Sequence, residues 1–173
     1  MKNAIRLLIA FVCVAAMLSG NLEARRNFRD NAVHITSQEI KDLERKGLLI
    51  PAGRDAWKTR SGLLIAGRDP EGRTRLEHIM RHGADSPGRS RHGVFSLTKA
   101  GIIELLDEAW NRIKTGGITG KEGGGKAAYT VKMGRSIGYL GGRMGRERGN
   151  PRLESVRLVV KKDGDTVITF FPM

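Results

Sequence analysis

Three of the four histidines, His78, His82 and His92, fall within fifteen positions of one another. An imidazole takes or gives a proton near neutral pH without a large change in its pKa, so a close pair of them is the first place to look for acid–base chemistry. His78 and His82 are one helical turn apart. On a wheel at about 100° per residue, Leu76, Ile79, Met80 and Gly83 cluster on one side, and the two histidines lie opposite, beside Arg75 and Asp85. They are therefore not obvious core residues. Three readings follow: two exposed surface groups, a zinc pair on one helix face, or a proton-transfer pair. Zinc is poorly served, because Ile79 stands where the metalloprotease pattern needs a Glu, and Arg75 and Arg81 would repel a dication.

Proton transfer has a specific use. Two imidazoles beside a cationic pocket cleave RNA without metal: one removes the proton of the ribose 2′-hydroxyl, the other protonates the departing 5′-oxygen, and Lys or Arg stabilises the phosphorane. The expected catalytic set is His78, His82, Lys132 and Thr169, with His92, Arg91, Arg135 and Arg157 expected to bind substrate. The cations come from strands. Tyr129, Val131 and Met133 alternate with polar residues, so if they face the core, Lys132 faces away. The same parity turns Val156, Leu158 and Val160 inward and Arg157 outward. Thr166, Ile168 and Phe170 inward would put Thr169 outward. Arg135 has core parity and needs a bulge, which Gly134 permits. The bland alternative is an ordinary solvated sheet face.

The elements that must position these groups read as helices first and strands afterwards, an α+β order. Thr36 with Glu39 forms a capping-box pattern opening a short helix that ends at Gly47. Residues 73–83 form a second helix, and Thr98 to Lys114 a third, striped by Ile102, Leu105, Leu106, Ala109, Trp110 and Ile113. Strands follow around 129–133, from Ser155 to Lys161, and from Thr166 to Phe171, with Lys162-Asp163-Gly164-Asp165 as a hairpin turn. The expected architecture is N-terminal helices packed on one face of a C-terminal antiparallel sheet of about four strands. Residues 48–69, with the triplets Leu48–Ile50 and Leu63–Ile65, read as an irregular segment or a flexible arm. Ala84 to Gly93 reads as a loop. Gly120 to Lys126 spells G-x-x-x-x-G-K, but Ala127 replaces the required Ser or Thr and the helix–strand order is reversed, so a mobile loop or linker replaces the nucleotide reading. Gly134 to Gly149, interleaved with Arg135, Arg143, Arg146 and Arg148, reads as a flexible basic loop or disordered padding.

Composition sets the outer limits. The 173 residues carry 31 Lys plus Arg against 18 Asp plus Glu, a net +13, so an anionic polymer or surface is the natural partner. With 39% apolar residues the chain can bury a core. Only 5% aromatic residues argue against binding that rests mainly on stacked bases. Residues 1–24 read as a secretory signal: Lys2 and Arg6, an apolar run from Leu7 to Leu18, then Ser19, Gly20 and Ala24 as small residues for cleavage. The run is too short to span a bilayer core of roughly 30 Å. Cleavage after Ala24 would remove Lys2, Arg6 and Glu23 and take the charge from +13 to +12. It would also remove Cys13, the only cysteine, and with it any disulfide or thiol chemistry. The expected parts are thus a signal peptide over 1–24, a helical or irregular segment over 25–72, and an α+β domain over 73–173.

From about Arg73 to Pro172 the chain resembles the toxin-type ribonucleases of the barnase–EndoU–colicin–RelE superfamily, as found in C-terminal domains of bacterial polymorphic and contact-dependent toxins. The resemblance is carried by Leu76-Glu77-His78-Ile79-Met80-Arg81-His82-Gly83, Ser90-Arg91-His92-Gly93-Val94-Phe95, the run from Tyr129 to Gly138, Val156 to Val160, and the closing Val167-Ile168-Thr169-Phe170-Phe171-Pro172. It implies a metal-independent RNA endonuclease leaving 2′,3′-cyclic phosphate ends, with helices on one side of a four-stranded antiparallel sheet and the active site on the other. His78 or His82 would be base or acid, Lys132 would stabilise the phosphate, Arg157 would bind it and Thr169 would position it. No cofactor and no metal are expected, the chain is expected to be monomeric and secreted or periplasmic, and an inhibitor or immunity protein is a further expected partner. Two rival functions stay open: a non-catalytic cationic protein that coats nucleic acid or an anionic envelope, and a metal-dependent nuclease.

Overall fold

Helix α1 (Ser37–Arg45) begins where the capping box places it: the Thr36 side chain accepts from Glu39 N, and the Glu39 carboxylate accepts from Thr36 N at 2.8 Å. The computed structural model describes residues 34–162 and 164–173. The expected signal peptide and Asp163 of the expected turn lie outside the described residues. Every described residue falls within one unit, Ala32–Met173.

The segment after α1 departs from expectation. Leu48, Leu49, Trp57, Leu63 and Ile65 are buried in the same core as the later elements. Trp57 and Ile65 lie in, and Leu48, Leu49 and Leu63 lead into, the strands β1 (Ile50–Gly53), β2 (Ala56–Lys58) and β3 (Leu64–Ile65), which pair antiparallel in that order. Residues 48–69 are thus a small sheet and not an irregular arm, and the core crosses the expected boundary at 72. Burial supplies the reason: Leu48, Leu49, Leu63, Ile65 and Trp57 remove enough apolar surface from water to hold strands too short to show a period.

Helix α2 (Arg75–Met80) continues as a 3₁₀ turn (Arg81–Gly83), and β4 (His92–Phe95) follows. Helix α3 (Lys99–Gly116) starts at the Thr98 cap and ends at Gly117 in the left-handed region, φ 63°. Then come β5 (Lys121–Gly123), β6 (Lys126–Lys132), β7 (Gly138–Gly141), α4 (Gly142–Glu147), β8 (Arg152–Leu153), β9 (Ser155–Lys161) and β10 (Val167–Pro172). The described residues form four helices and three antiparallel sheets: β1-β2-β3, β10-β9-β6-β5 and β4-β7-β8. The α+β expectation holds in that form, but strands occur between the helices as well as after them. Two stretches expected to be loose are ordered. Gly120–Lys126 is part of the β5–β6 hairpin, turned at Gly124 and Gly125 with φ of 56° and 71°. Gly134–Gly149 holds β7 and α4. Among the described residues, no helix is long and apolar enough to cross a membrane.

Helix α3 buries Ile102, Ile103, Leu105, Leu106, Ala109, Trp110 and Ile113 in a core shared with Val131, Val156, Leu158, Val160 and Phe170 of the four-stranded sheet. Strand β9 alternates without a fault, Val156, Leu158 and Val160 buried and Arg157 and Val159 on the other face. In β10 a bulge between Val167 and Thr169 resets the phase, so Val167, Phe170 and Pro172 are buried, where the sequence pattern suggested Thr166, Ile168 and Phe170. Thr169 still faces away from the core.

Sheet β4-β7-β8 sits hard against its neighbours. A Cβ on Gly93 would lie 1.8 Å from the Pro172 carbonyl oxygen, and one on Gly138 would lie 2.0 Å from that of Val94. Gly138→Ala is therefore expected to lower stability by about 1–3 kcal/mol, read from the urea midpoint. An unchanged midpoint would mean that β4 and β7 can part at no cost.

Candidate active site

Asp69 anchors the site. Its Oδ1 accepts from the backbone N–H of Glu71 (2.9 Å) and Arg73 (3.0 Å), closing the turn that leads into α2. Its Oδ2 accepts from Arg73 Nε at 2.8 Å and meets His78 Nδ1 at 3.0 Å. Its side chain is 1% exposed. Burial by itself would raise this carboxyl, but the hydrogen bonds from His78 and Arg73 and the Arg73 charge outweigh it and hold Asp69 at about 2. Asp69 is thus an anion at any physiological pH.

A carboxylate only accepts, so His78 carries its proton on Nδ1 and presents Nε2 as a bare acceptor. Nε2 lies 3.3 Å from Thr169 Oγ1, whose hydroxyl is the donor. Asp69, His78 and Thr169 form one chain of hydrogen bonds, from the buried turn before α2 to the outward face of β10. Helix α2 owes its place to its own capping box, Thr74 with Glu77, and to Arg75, which donates to the Ile168 carbonyl at 2.5 Å. Burial lowers the His78 pKa below the ordinary histidine value. The Asp69 contact works against this, and the charges of Arg75 and Arg73 reinforce it.

His82, on the 3₁₀ turn, is held differently. Its Nδ1 donates to the Gly93 carbonyl at 2.9 Å, leaving Nε2 bare. Its ring stacks on His92 (centroids 4.7 Å apart, 18° between planes) and on Phe171 (5.3 Å, 25°). Burial drives it down to about 3, with help from the charges of His92, His78 and Arg89 and against the pull of the Gly93 carbonyl. His92 is buried and bonds the Ala84 carbonyl through Nε2 at 3.1 Å. Burial lowers it too.

These groups line one pocket of about 300 Å³, with His78, His82, His92, Arg91 and Thr169 from the expected set and Arg81, Arg89 and Phe171 in addition. That volume is at the small end for ligand sites and suits a phosphate with its sugar. Three guanidinium groups on the rim give it a positive field. Asp69 is the main residue that sequence reasoning missed. Its signal was a turn-forming Asp-Pro-Glu-Gly stretch running into the Thr74-x-x-Glu77 capping box.

Three expected residues do not enter the pocket. Lys132 is exposed on β6 and opposes Ser155. The register Thr169–Val159–Ala128 puts it on the same sheet face as Thr169, but two strands across and four residues along, about 16 Å away. Arg135 is held by Glu108 through two contacts, at 3.1 and 2.5 Å. Arg157 opposes Phe171 in the register and so borders the pocket, yet its guanidinium donates to Thr130 at 2.8 Å. The cations that line this pocket are Arg81, Arg89 and Arg91, not Lys132, and Arg81 also reaches Glu71 at 3.3 Å. Among the described residues, no three His, Cys, Asp or Glu side chains stand together as a metal-holding group.

Comparison with protein-family models, with curated proteins and with solved structures returns no match for this chain. The functional reading therefore rests on the geometry of this pocket.

Proposed function

We propose that this protein is an RNA endonuclease that works by attack of the ribose 2′-hydroxyl on the adjacent phosphodiester. The observation that carries the proposal is the Asp69–His78–Thr169 chain opening into a pocket rimmed by three arginines. His78 Nε2, unprotonated and oriented by Asp69, takes the 2′-hydroxyl proton. Arg81, Arg89 and Arg91 bind the phosphate and stabilise the extra negative charge of the phosphorane. Thr169 positions the phosphate beside His78. The 5′-oxygen leaves with a proton from His82, whose imidazolium forms when the phosphodiester anion enters and offsets the surrounding positive charge. The products are a 2′,3′-cyclic phosphate and a free 5′-hydroxyl. The finer arrangement of the toxin-type ribonucleases, and a secreted or periplasmic setting with a protein inhibitor, belong to the same proposal.

The test is a digest of RNA in EDTA with end-group analysis. Cleavage with 2′,3′-cyclic phosphate ends is the expected result. Binding without turnover, falling steeply with salt, would replace the enzyme with a cationic coating protein. Cleavage abolished by the chelator would point to metal-dependent hydrolysis instead.

A further inference from the structure

A second cavity, of about 590 Å³, opens on sheet β4-β7-β8. The register joins it to the pocket just described. His92 pairs with Gly141 and Val94 with Tyr139 across β4–β7, and Tyr139 pairs with Arg152 across β7–β8. Residues opposite one another in a ladder share a face, as do residues two apart along a strand. His92, Val94, Tyr139 and Arg152 therefore lie on the same side of this sheet. From His92 in the first pocket to Tyr139 in the second is one strand across and two residues along, roughly 8 Å.

The chemistry of the second cavity differs from that of the first. Asp85 lines it and is already engaged: its Oδ1 accepts from Gly142 N at 2.7 Å and its Oδ2 lies 3.5 Å from Arg146. The Asp85 carboxylate offsets the Arg146 charge on the same wall and leaves Arg152 as the cation without an ion pair among the described residues. The remaining polar groups include the guanidinium groups of Arg146 and Arg152, the hydroxyls of Ser96 and Ser136 and the amide of Asn150. Asn150 sits at φ 53°, a conformation rare outside glycine, and its Nδ2 is committed to the Leu140 carbonyl at 3.0 Å. Its Oδ1 is thereby left as an oriented acceptor. Arg152 is exposed, has no ion pair among the described residues, and faces the Tyr139 ring position from across the ladder. A flat aromatic, a guanidinium plane and neutral donors and acceptors suit an uncharged planar heterocycle.

We infer that this cavity is the binding site for the nucleobase next to the scissile phosphate, held against Tyr139 and Arg152 and read by Ser96, Ser136 and Asn150. The inference builds on the ribonuclease reading of the neighbouring pocket. The low aromatic content of the chain is no obstacle, since one base needs one platform.

The experiment is calorimetric titration with 2′-O-methyl RNA dinucleotides of each base, which cannot be cleaved, and separately with inorganic phosphate. The wild type is expected to bind the dinucleotides with unequal affinity. Arg152→Ala and Tyr139→Leu are each expected to weaken the best of them about tenfold and to leave inorganic phosphate unchanged. Lys41→Ala, which removes a positive charge from the exposed side of α1, should change neither. The inference is overturned if no dinucleotide binds the wild type, if folded Arg152→Ala binds it normally, or if Lys41→Ala weakens it equally. A wild type that shows the expected binding but cuts no RNA in EDTA removes the ribonuclease reading and keeps the base site. Normal RNA cleavage together with normal dinucleotide binding by Arg152→Ala removes the base site alone.

Discussion

His78→Ala is expected to reduce RNA cleavage by on the order of 10² to 10⁴ while leaving the fold intact. The fold should survive because Asp69 keeps Arg73 and two backbone N–H groups as partners when the imidazole is gone. The rate should fall because no other bare imidazole nitrogen is 3.3 Å from Thr169 among the described residues. Asp69→Asn gives a sharper test of the positioning. An amide can donate to Nδ1, which moves the imidazole proton to Nε2 and removes the base without moving it. Its expected signature is a loss in kcat similar to that of His78→Ala, with inorganic phosphate binding preserved. In the wild type, kcat/KM should be highest below the His78 pKa and fall as the pH rises through it, because productive binding also requires His82 to take up a proton that the free enzyme lacks. Wild-type rates in folded His78→Ala would leave the pocket as a binding site only.

Sequence patterning disclosed the parts of this fold whose periods are long enough to count. Helix α3 shows seven buried residues at helical spacing, and β9 alternates over its whole length, so both could be placed within a residue or two. The capping box at Thr36 was equally plain. The N-terminal sheet was hidden because its strands are two to four residues long and carry no readable alternation. The region 134–149 misled for another reason. Its glycines suggest a flexible loop, yet a Cβ on Gly141 would meet Asp85 Oδ1 at 2.3 Å and one on Gly145 would meet the Leu140 carbonyl oxygen at 2.1 Å. Several are there because backbone packs against backbone. At the site, parity correctly put Lys132, Arg157 and Thr169 on one sheet face, but parity carries no distance, and Lys132 proved remote. The histidines converge because two turns and a strand pairing bring them together, and no spacing rule encodes that. Asp69 was invisible as the partner of His78 because the contact depends on a turn that folds it back onto α2, nine positions later.

Acid is expected to unfold this protein earlier than its carboxylates alone would require, and His82 is the main cause. Packed between the rings of His92 and Phe171, near Arg89 and His78, it titrates at about 3 in the folded chain against 6.5 ordinarily. The unfolded chain therefore binds the proton first. The stability tied to a neutral His82 is complete above 6.5 and drains away as the pH falls from there toward 3, at up to about 1.4 kcal/mol per pH unit and about 5 kcal/mol in all. His78 and His92, also lowered, act in the same direction. Asp69 adds its own loss only in a lower window, as the pH falls from 3.8 toward about 2. Urea midpoints near pH 7.5 and near pH 4.5 should differ by roughly 2–3 kcal/mol from His82 alone. His82→Asn, whose amide can still donate to the Gly93 carbonyl, should flatten much of that slope. An equal slope in the variant would assign the acid sensitivity to other groups. Inorganic phosphate should restore more stability near pH 5 than near pH 7.5, because an anion beside Arg89 favours the imidazolium that the empty pocket rejects. That linkage is what the catalytic scheme needs: His82 stays neutral until the phosphodiester arrives, and becomes an acid only where there is a leaving oxygen to protonate.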